Sequence, residues 1–355
     1  MNSKPTILYD EKNYIHLASP QYDKLGIVTE YFDIQPYKEY DCNYDPSSTI
    51  FLIERLDYID YAFGKLQTIY PSLSERPTPL TSEYIQKLRD KGFKIVIDQC
   101  ADRWDSRWDN REDFTLRPKH FDWFDESLCW RAEGYHNIEF ESAPEYSFLM
   151  LMNLQRKHRD NLYEKLLPVL DNSIYSYVQK GVPITNSTDI DTQNHRWMRY
   201  VNPDWYNKTK FSVVAETIFY YYGCDFHPGK HSFAYDETGK TYIPDLLISE
   251  KSFKPIAFGH PFITLGEPGT LKMLQDFGFE TFDNCIDESY DLLTSDYLRF
   301  INVVEQIRLA METDFDTPIN REKIAHNRNR FWDYSLVEKL FVTEIVDPLM
   351  ELVNG

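Results

Sequence analysis

Leu247-Ile-Ser-Glu-Lys-Ser-Phe-Lys-Pro-Ile-Ala-Phe-Gly-His-Pro-Phe-Ile-Thr-Leu-Gly266 decides the fold. Ser249 reads as an N-cap, the next residues as a helix reaching Phe258, Gly259 as its stop, and Pro261 to Leu265 as an apolar strand. The pattern then repeats: a turn at Gly266-Glu-Pro-Gly269, a helix from Thr270 to Phe277, Gly278, and a strand from Phe279 to Phe282. Strand and helix alternating with glycines at the helix ends predict a doubly wound parallel sheet. Such sheets bind ligands outside the carboxyl ends of their strands, where helix N-termini point.

Two opposite charges, Glu250 and Lys251, open the first of these helices. Its exposed N–H groups and positive end attract phosphate, Lys251 adds charge, and Glu250 can accept ribose hydroxyls. The pair therefore reads as a nucleotide-sugar cradle. The same residues also suit a plain helix start, with Glu250 favourable at the positive end and Lys251 solvated.

Upstream, Tyr146-Ser-Phe-Leu-Met-Leu-Met152 is an apolar strand that leads into a helical stretch from Arg156 to Leu167, with Leu162, Leu166 and Leu167 on one face. Phe211-Ser-Val-Val-Ala215 is a further strand, followed by a Gly/His/Pro/Asp-rich loop or lid from Gly223 to Gly239. The N-terminal part carries a β-rich run, Ser48 to Ile53, then a helix from Thr81 to Lys91 closed by Gly92, and a strand from Phe93 to Ile97. Residues 101–141 have no clear period and read as loops with short elements. Helices occupy Ser295 to Glu312 and the chain from Asn320 onward. These patterns divide the chain into an N-terminal α/β domain (1–146), a ligand-binding α/β domain (147–320) and C-terminal helices packing across the two (321–355).

The 355 residues are 42% apolar and 16% aromatic, enough for two cores, and carry a formal net charge of −19. That field repels polyanions at long range and makes polymeric nucleic acid a disfavoured partner, although a few cations inside a pocket can still hold a small diphosphate. The five cysteines, Cys42, Cys100, Cys129, Cys224 and Cys285, form no C-x-x-C pair and read as reduced thiols. The first 14 residues have no apolar leader and no stretch is apolar enough to span a bilayer, which predicts a cytoplasmic protein without membrane insertion. Neither a Walker loop nor a G-x-G-x-x-G, G-x-S-x-G or H-E-x-x-H motif is present, so nucleotide hydrolysis, dinucleotide chemistry, a serine hydrolase and a zinc site have no motif to stand on.

Strand, Ser249-Glu-Lys251, helix, Gly259, Pro261, apolar strand resembles the donor-site motif of the α1,3-fucosyltransferase family, and also a group of uncharacterised viral and bacterial proteins with the same pattern. Phe211-Ser-Val-Val-Ala-Glu-Thr217 is similar to the family's preceding strand, which ends in Phe-Glu-Asn. Arg159-Asp-Asn-Leu-Tyr-Glu-Lys-Leu166 is similar to its Arg-Asn-x-x-Tyr-x-x-Leu helix start. The resemblance covers residues 147–282 and none of the first 146. It implies two Rossmann-like domains facing a cleft in the GT-B arrangement, and an inverting glycosyltransferase without a metal motif or cofactor. The co-substrate would be a nucleotide-diphosphate sugar, a GDP-sugar in the family, and the acceptor a glycan or small molecule. Thr217 replaces the family's asparagine, and the stretch from Glu216 to Glu250 is longer than the family's.

In that frame Arg159 and Lys251 neutralise the leaving diphosphate, and Glu216 and Glu250 hold ribose or sugar hydroxyls. The general base would come from the N-terminal domain, with Glu54 and Asp98, each directly after a predicted strand, as candidates. His158 and Lys157 flank Arg159 in a possible anion pocket, or are solvated. Thr217, His260 and Gly266 line the donor site on the same reading, while His260 also reads as a turn residue, and Gly266 and Gly269 as turn glycines. The acidic turn Asp287 to Asp291 reads as a loop or cap rather than a cation site. Trp104, Trp108, Trp123 and Trp130 suit either acceptor stacking or core packing. A transferase acting on nucleic-acid bases and a non-catalytic nucleotide-sugar-binding protein are the alternative functions. A cytoplasmic location would mean the host's for a viral protein.

Overall fold

The computed structural model describes residues 4–9, 24–36, 44–54, 82–98, 114–116, 118–139, 143–187, 201–217, 219, 246 and 248–354. The chain forms two compact units. One comprises Met1–Glu133 together with Ser335–Gly355, the other Gly134–Tyr334. The boundary between the units falls at 133/134, and the C-terminal chain belongs to the second unit as far as Tyr334 and to the first unit beyond it.

In the first unit, β1 (Thr6–Tyr9), β2 (Asp33–Pro36), β3 (Thr49–Glu54), β4 (Lys94–Asp98) and β5 (Phe114–Leu116) form a parallel sheet in the order β2-β1-β3-β4-β5. Its central strands are buried, with Ile7, Leu8, Ile50, Phe51, Leu52 and Val96 at 0–1% exposure, as a parallel sheet covered on both faces requires. Helix α1 (Ser82–Asp90) precedes β4 as expected. The order reverses between β1 and β3, and Glu54 ends β3 at that point. Glu54 pairs in register with Asp98, the last residue of β4.

Within the stretch 101–141, expected to hold loops with short elements, Phe121–Ala132 is a 12-residue helix, α2. Nine of its residues are buried, on all sides, including Trp123, Asp125, Glu126 and Trp130. A helix covered all round has no polar face and so no amphipathic period to betray it. Trp123 and Trp130, at 1% and 0% exposure, are core residues rather than a stacking surface, while Trp104 and Trp108 lie outside the described residues.

Three further segments complete this unit: α9 (Tyr334–Phe341), a π-helical turn (Val342–Val346) and α10 (Asp347–Asn354). Glu344, on the π turn, grips His120 at the start of α2 with both oxygens, one accepting the backbone N–H at 2.9 Å and the other meeting ring Nδ1. At the far end of α10, Lys94 Nζ donates to the carbonyls of Leu352 and Val353, a cation where the helix dipole is negative.

In the second unit, β6 (Tyr146–Met152), β7 (Ser173–Tyr177), β8 (Thr209–Ala215) and β9 (Phe262–Leu265) form a parallel sheet in the order β7-β6-β8-β9. The helices are α3 (Lys157–Leu166), α4 (Pro203–Asn207), α5 (Glu250–Ala257), α6 (Thr270–Asp276), α7 (Asp296–Glu312) and α8 (Pro318–Trp332). Ser249 caps α5 as predicted, and Gly259 leaves that helix at φ +68°. Both units are therefore Rossmann-like parallel α/β folds, the class the sequence predicts, with helices closing the chain.

Phe279–Phe282 is not a fifth strand. Asn327 on α8 bonds both backbone groups of Glu280, accepting from its N–H at 2.7 Å and donating to its carbonyl at 2.8 Å. Glu288 accepts the N–H of Phe282 at 2.7 Å. Side chains thus satisfy the groups a ladder would have used. The Gly223–Gly239 loop lies outside the described residues.

Candidate functional site

Strand order reverses in the second sheet between β6 and β8, so the crevice outside their carboxyl ends is where a doubly wound sheet takes its ligand. Helix α3 starts just beyond β6, Glu216 and Thr217 follow β8 directly, and α5 starts beside them. Three segments far apart in sequence meet here.

Glu216 joins them. Its side chain is fully buried, and all four acceptor positions of the carboxylate are filled. Oε1 accepts from Ser249 N (3.1 Å) and Ser252 Oγ (2.7 Å), while Oε2 accepts from Ser249 Oγ (2.6 Å) and Thr217 N (3.0 Å). The carboxylate sits at the positive end of α5 and ties that helix to β8. No lone pair is left for a ligand hydroxyl in this arrangement, so Glu216 positions the site.

Lys251 lies over this base. Its Nζ donates to Glu250 Oε1 (2.7 Å), Thr217 Oγ1 (3.1 Å) and Ser249 Oγ (3.2 Å), with 21% of the side chain exposed. Burial raises the Glu250 pKa, but the charges of Lys251 and Lys254 and hydrogen bonds from Lys251 and Ser249 outweigh it and leave the pKa below its ordinary value. Glu250 is thus an ionised, nearly buried carboxylate beside a part-exposed ammonium.

Arg159 and His158 face the other side of Glu216. Arg159, 1% exposed, donates from Nη1 to the Leu154 carbonyl (3.0 Å) and from Nη2 to the carbonyls of Ala215 (2.9 Å) and Glu216 (3.0 Å). Its Nε is buried without a hydrogen-bond partner. Burial and repulsion from Arg156 lower its pKa, against attraction from Glu216 and Glu250. His158 Nε2 also meets the Glu216 carbonyl, at 3.0 Å, and its ring stacks on Phe219 with centroids 5.5 Å apart. Three basic residues, Arg156, Lys157 and Arg159, thus crowd the positive end of α3, and its N-cap Arg156 supplies no side-chain cap. Cations there oppose the helix dipole. Asp160, the one acid of that turn, is engaged by Lys180, Tyr177 and Gln155.

His260 does not join them, which corrects its assignment to the donor site. It precedes β9 and bonds to the start of β8, with Nε2 donating to the Thr209 carbonyl (2.7 Å) and Nδ1 accepting from Ser212 Oγ (2.8 Å). Thr209 and Glu216 are seven positions apart along the strand, about 23 Å at roughly 3.3 Å per residue. His260 therefore sits at the opposite edge, and burial pushes its pKa down to about 4.

Gly266 is at the site edge, following β9, where a Cβ would lie 2.7 Å from Thr270 Oγ1. Gly269 adopts φ +88° at the N-cap of α6. The acidic turn caps that helix, Asp291 accepting from the N–H groups of Leu271 (3.0 Å) and Lys272 (3.1 Å). No group of His, Cys, Asp and Glu suited to a metal ion occurs among the described residues, and no helix there is long and apolar enough to cross a membrane. Glu54 and Asp98 are in the first unit, adjacent at the carboxyl ends of β3 and β4.

Sequence reasoning missed Arg299, which is 1% exposed on α7. It donates to the carbonyls of Gly266 (3.0 Å), Leu293 (2.6 Å) and Phe219, and to Asp296 Oδ1 (2.7 Å).

Comparison of the chain with protein-family models and with curated proteins gives no match. Among solved structures, a crystal structure of an α1,3-fucosyltransferase with GDP-fucose aligns over 88% of this chain and 91% of that one, at 12% identity and a TM-score of 0.29. The likeness is too loose to assign a role to any residue.

Proposed function

We propose that the second unit binds a nucleotide-diphosphate sugar at the β6/β8 crevice and that the protein is a glycosyltransferase, inverting and metal-independent, acting on a glycan or small acceptor. One observation carries the reading: cations Arg156, Lys157, Arg159 and Lys251 are gathered on two helix starts that flank Glu216, at the strand reversal. Basic side chains at the positive end of a helix cost stability unless an anion accompanies them. A diphosphate supplies that anion; Arg159 is buried, whereas exposed Lys157 and part-exposed Arg156 and Lys251 can reach it, Lys251 from beside Glu216. Glu250 is the ribose acceptor, and Glu216, Arg159 and His158 hold the frame.

As the sugar transfers, charge grows on the leaving diphosphate, and cations already in place stabilise it without reorganising. For the general base the candidates are Glu54, which ends its strand at the strand reversal of the first sheet, and its register partner Asp98.

A second reading, a non-catalytic protein that retains the fold, is favoured by the internal pairing of Lys251 with three oxygens and of Arg159 with three carbonyls. Thermal shift with GDP, UDP, CDP and ADP and their sugars separates the two. A ligand at one hundred times its Kd stabilises by about 2.7 kcal/mol, a clear rise in Tm. No response to any of them at millimolar concentration sinks the donor site. A response without release of nucleoside diphosphate in the presence of acceptors favours the non-catalytic reading.

A further inference from the structure

Arg299 is 33 residues from Gly266 and 80 from Phe219 in sequence, yet its guanidinium bonds both carbonyls. The first carbonyl lies just beyond the end of β9, the second just beyond Glu216 and Thr217. The guanidinium also lies over the Phe219 ring, 4.5 Å from its centroid, and that ring stacks on His158, which holds the Glu216 carbonyl. Phe219 is therefore held through its carbonyl by Arg299 and through its ring by contacts with both Arg299 and His158. Two residues before it, Thr217 has its N–H on Glu216 and its hydroxyl on Lys251 Nζ.

From this connectivity we infer that Arg299 is a positioning residue for the anion site: it fixes the segment after β8, through Phe219 and Thr217, so that Lys251 Nζ stays aimed at the ligand. The inference rests on the donor-site reading for its ligand, but the link from Arg299 to Thr217 stands on its own. A planar fork with donors in fixed directions can bond several carbonyls at once, whereas an ammonium on a flexible stem preserves charge but not that geometry. Asp296 supplies the counter-charge, so loss of the fork need not leave a carboxylate buried, since its side chain is 31% exposed.

The test uses the full chain, Arg299→Lys, Lys251→Ala and the double variant, with GDP, UDP and inorganic pyrophosphate as probes, below the melting point of each. Arg299→Lys weakens binding by about tenfold, and the double variant binds little worse than Lys251→Ala, because both changes remove one arrangement. Amide exchange at Thr217, Phe219 and Gly266 speeds up in Arg299→Lys while that of β6 is unchanged. Additive losses in the cycle, or unchanged exchange at Thr217, overturn the inference. If wild-type protein binds no probe while exchange at Thr217 responds, the donor reading fails and the positioning link survives. Should Arg299→Lys not fold, Phe219→Leu removes the ring contacts while keeping the carbonyl, and the same exchange and cycle outcomes decide.

Discussion

Lys251 Nζ lies 2.7 Å from Glu250 Oε1, so the ammonium at the start of α5 is neutralised by the carboxylate next to it in sequence. A phosphate must compete with that carboxylate. Glu250→Gln is therefore expected to tighten binding of inorganic pyrophosphate, which has no ribose, while a nucleoside diphosphate gains less because its hydroxyls lose an ionised acceptor. Lys251→Ala weakens both, by about ten- to a hundredfold, the worth of one charge-assisted hydrogen bond. Titration calorimetry with the two ligands reads the contrast. Equal effects of Glu250→Gln on both would remove Glu250 from ribose recognition.

Glu216 governs stability more than affinity. Four donors point at one buried carboxylate, and Glu216→Gln gives at least one of them an N–H₂ group in place of an acceptor. The expected cost is about 2–4 kcal/mol, because a buried donor left unmade loses its full desolvation penalty. Denaturant unfolding measures it. A loss below about 0.5 kcal/mol, the level of an ordinary surface change, would mean that the carboxylate does not anchor α5.

Three strands of the second unit are legible as short apolar runs, Phe262–Leu265 being also bracketed by Gly259 and Gly266. Ser173–Tyr177 escapes because it alternates Ser, Ile, Tyr, Ser, Tyr, too polar to read as a buried strand, although four of its five residues are buried. The Glu250–Lys251 pair is visible in sequence, but its support is not. Arg299 engages backbone carbonyls from distant segments, and carbonyls carry no residue identity for a motif to record. His260 shows the opposite error: its place in a matched motif suggested the ligand edge, while its strand offset puts it at the other one.

Two groups, half-buried Glu288 and buried His260, give opposite pH slopes. Burial raises Glu288 to about 7 from 4.5, against hydrogen bonds from Thr281 and Phe282, so the native state keeps a proton that the unfolded chain releases, and stability falls as pH rises through 4.5–7. Burial lowers His260 to about 4 from 6.5, so the unfolded chain binds a proton the native state refuses, and stability falls as pH drops from 6.5 to 4. Between pH 4.5 and 6.5 the two contributions oppose each other, each limited to about 1.4 kcal/mol per pH unit. Glu288→Gln removes one slope, and its stability should rise with pH across that window more steeply than wild type. Parallel stability–pH curves for the two proteins would show that Glu288 titrates alike in both states.

Gly266→Ala tests how tightly the turn after β9 is packed. The added Cβ would sit 2.7 Å from Thr270 Oγ1 and 3.3 Å from its Cβ and Cγ2. Thr270 cannot easily swing away, because it is buried and its hydroxyl donates to the Glu267 carbonyl at 2.7 Å. Overpacking of this kind costs about 1–3 kcal/mol. Thr270→Ala alone loses that hydrogen bond, about 1 kcal/mol. It also removes the atoms the new methyl would meet, so the double variant should be more stable than the sum of the two single losses predicts. The Gly266 carbonyl bonds Arg299, and a turn displaced by the methyl would therefore carry the disturbance into the anion site. Ligand affinity in Gly266→Ala should fall, and in the double variant it should recover. Strictly additive stability losses, with no recovery of affinity, would show that the glycine answers to something other than Thr270.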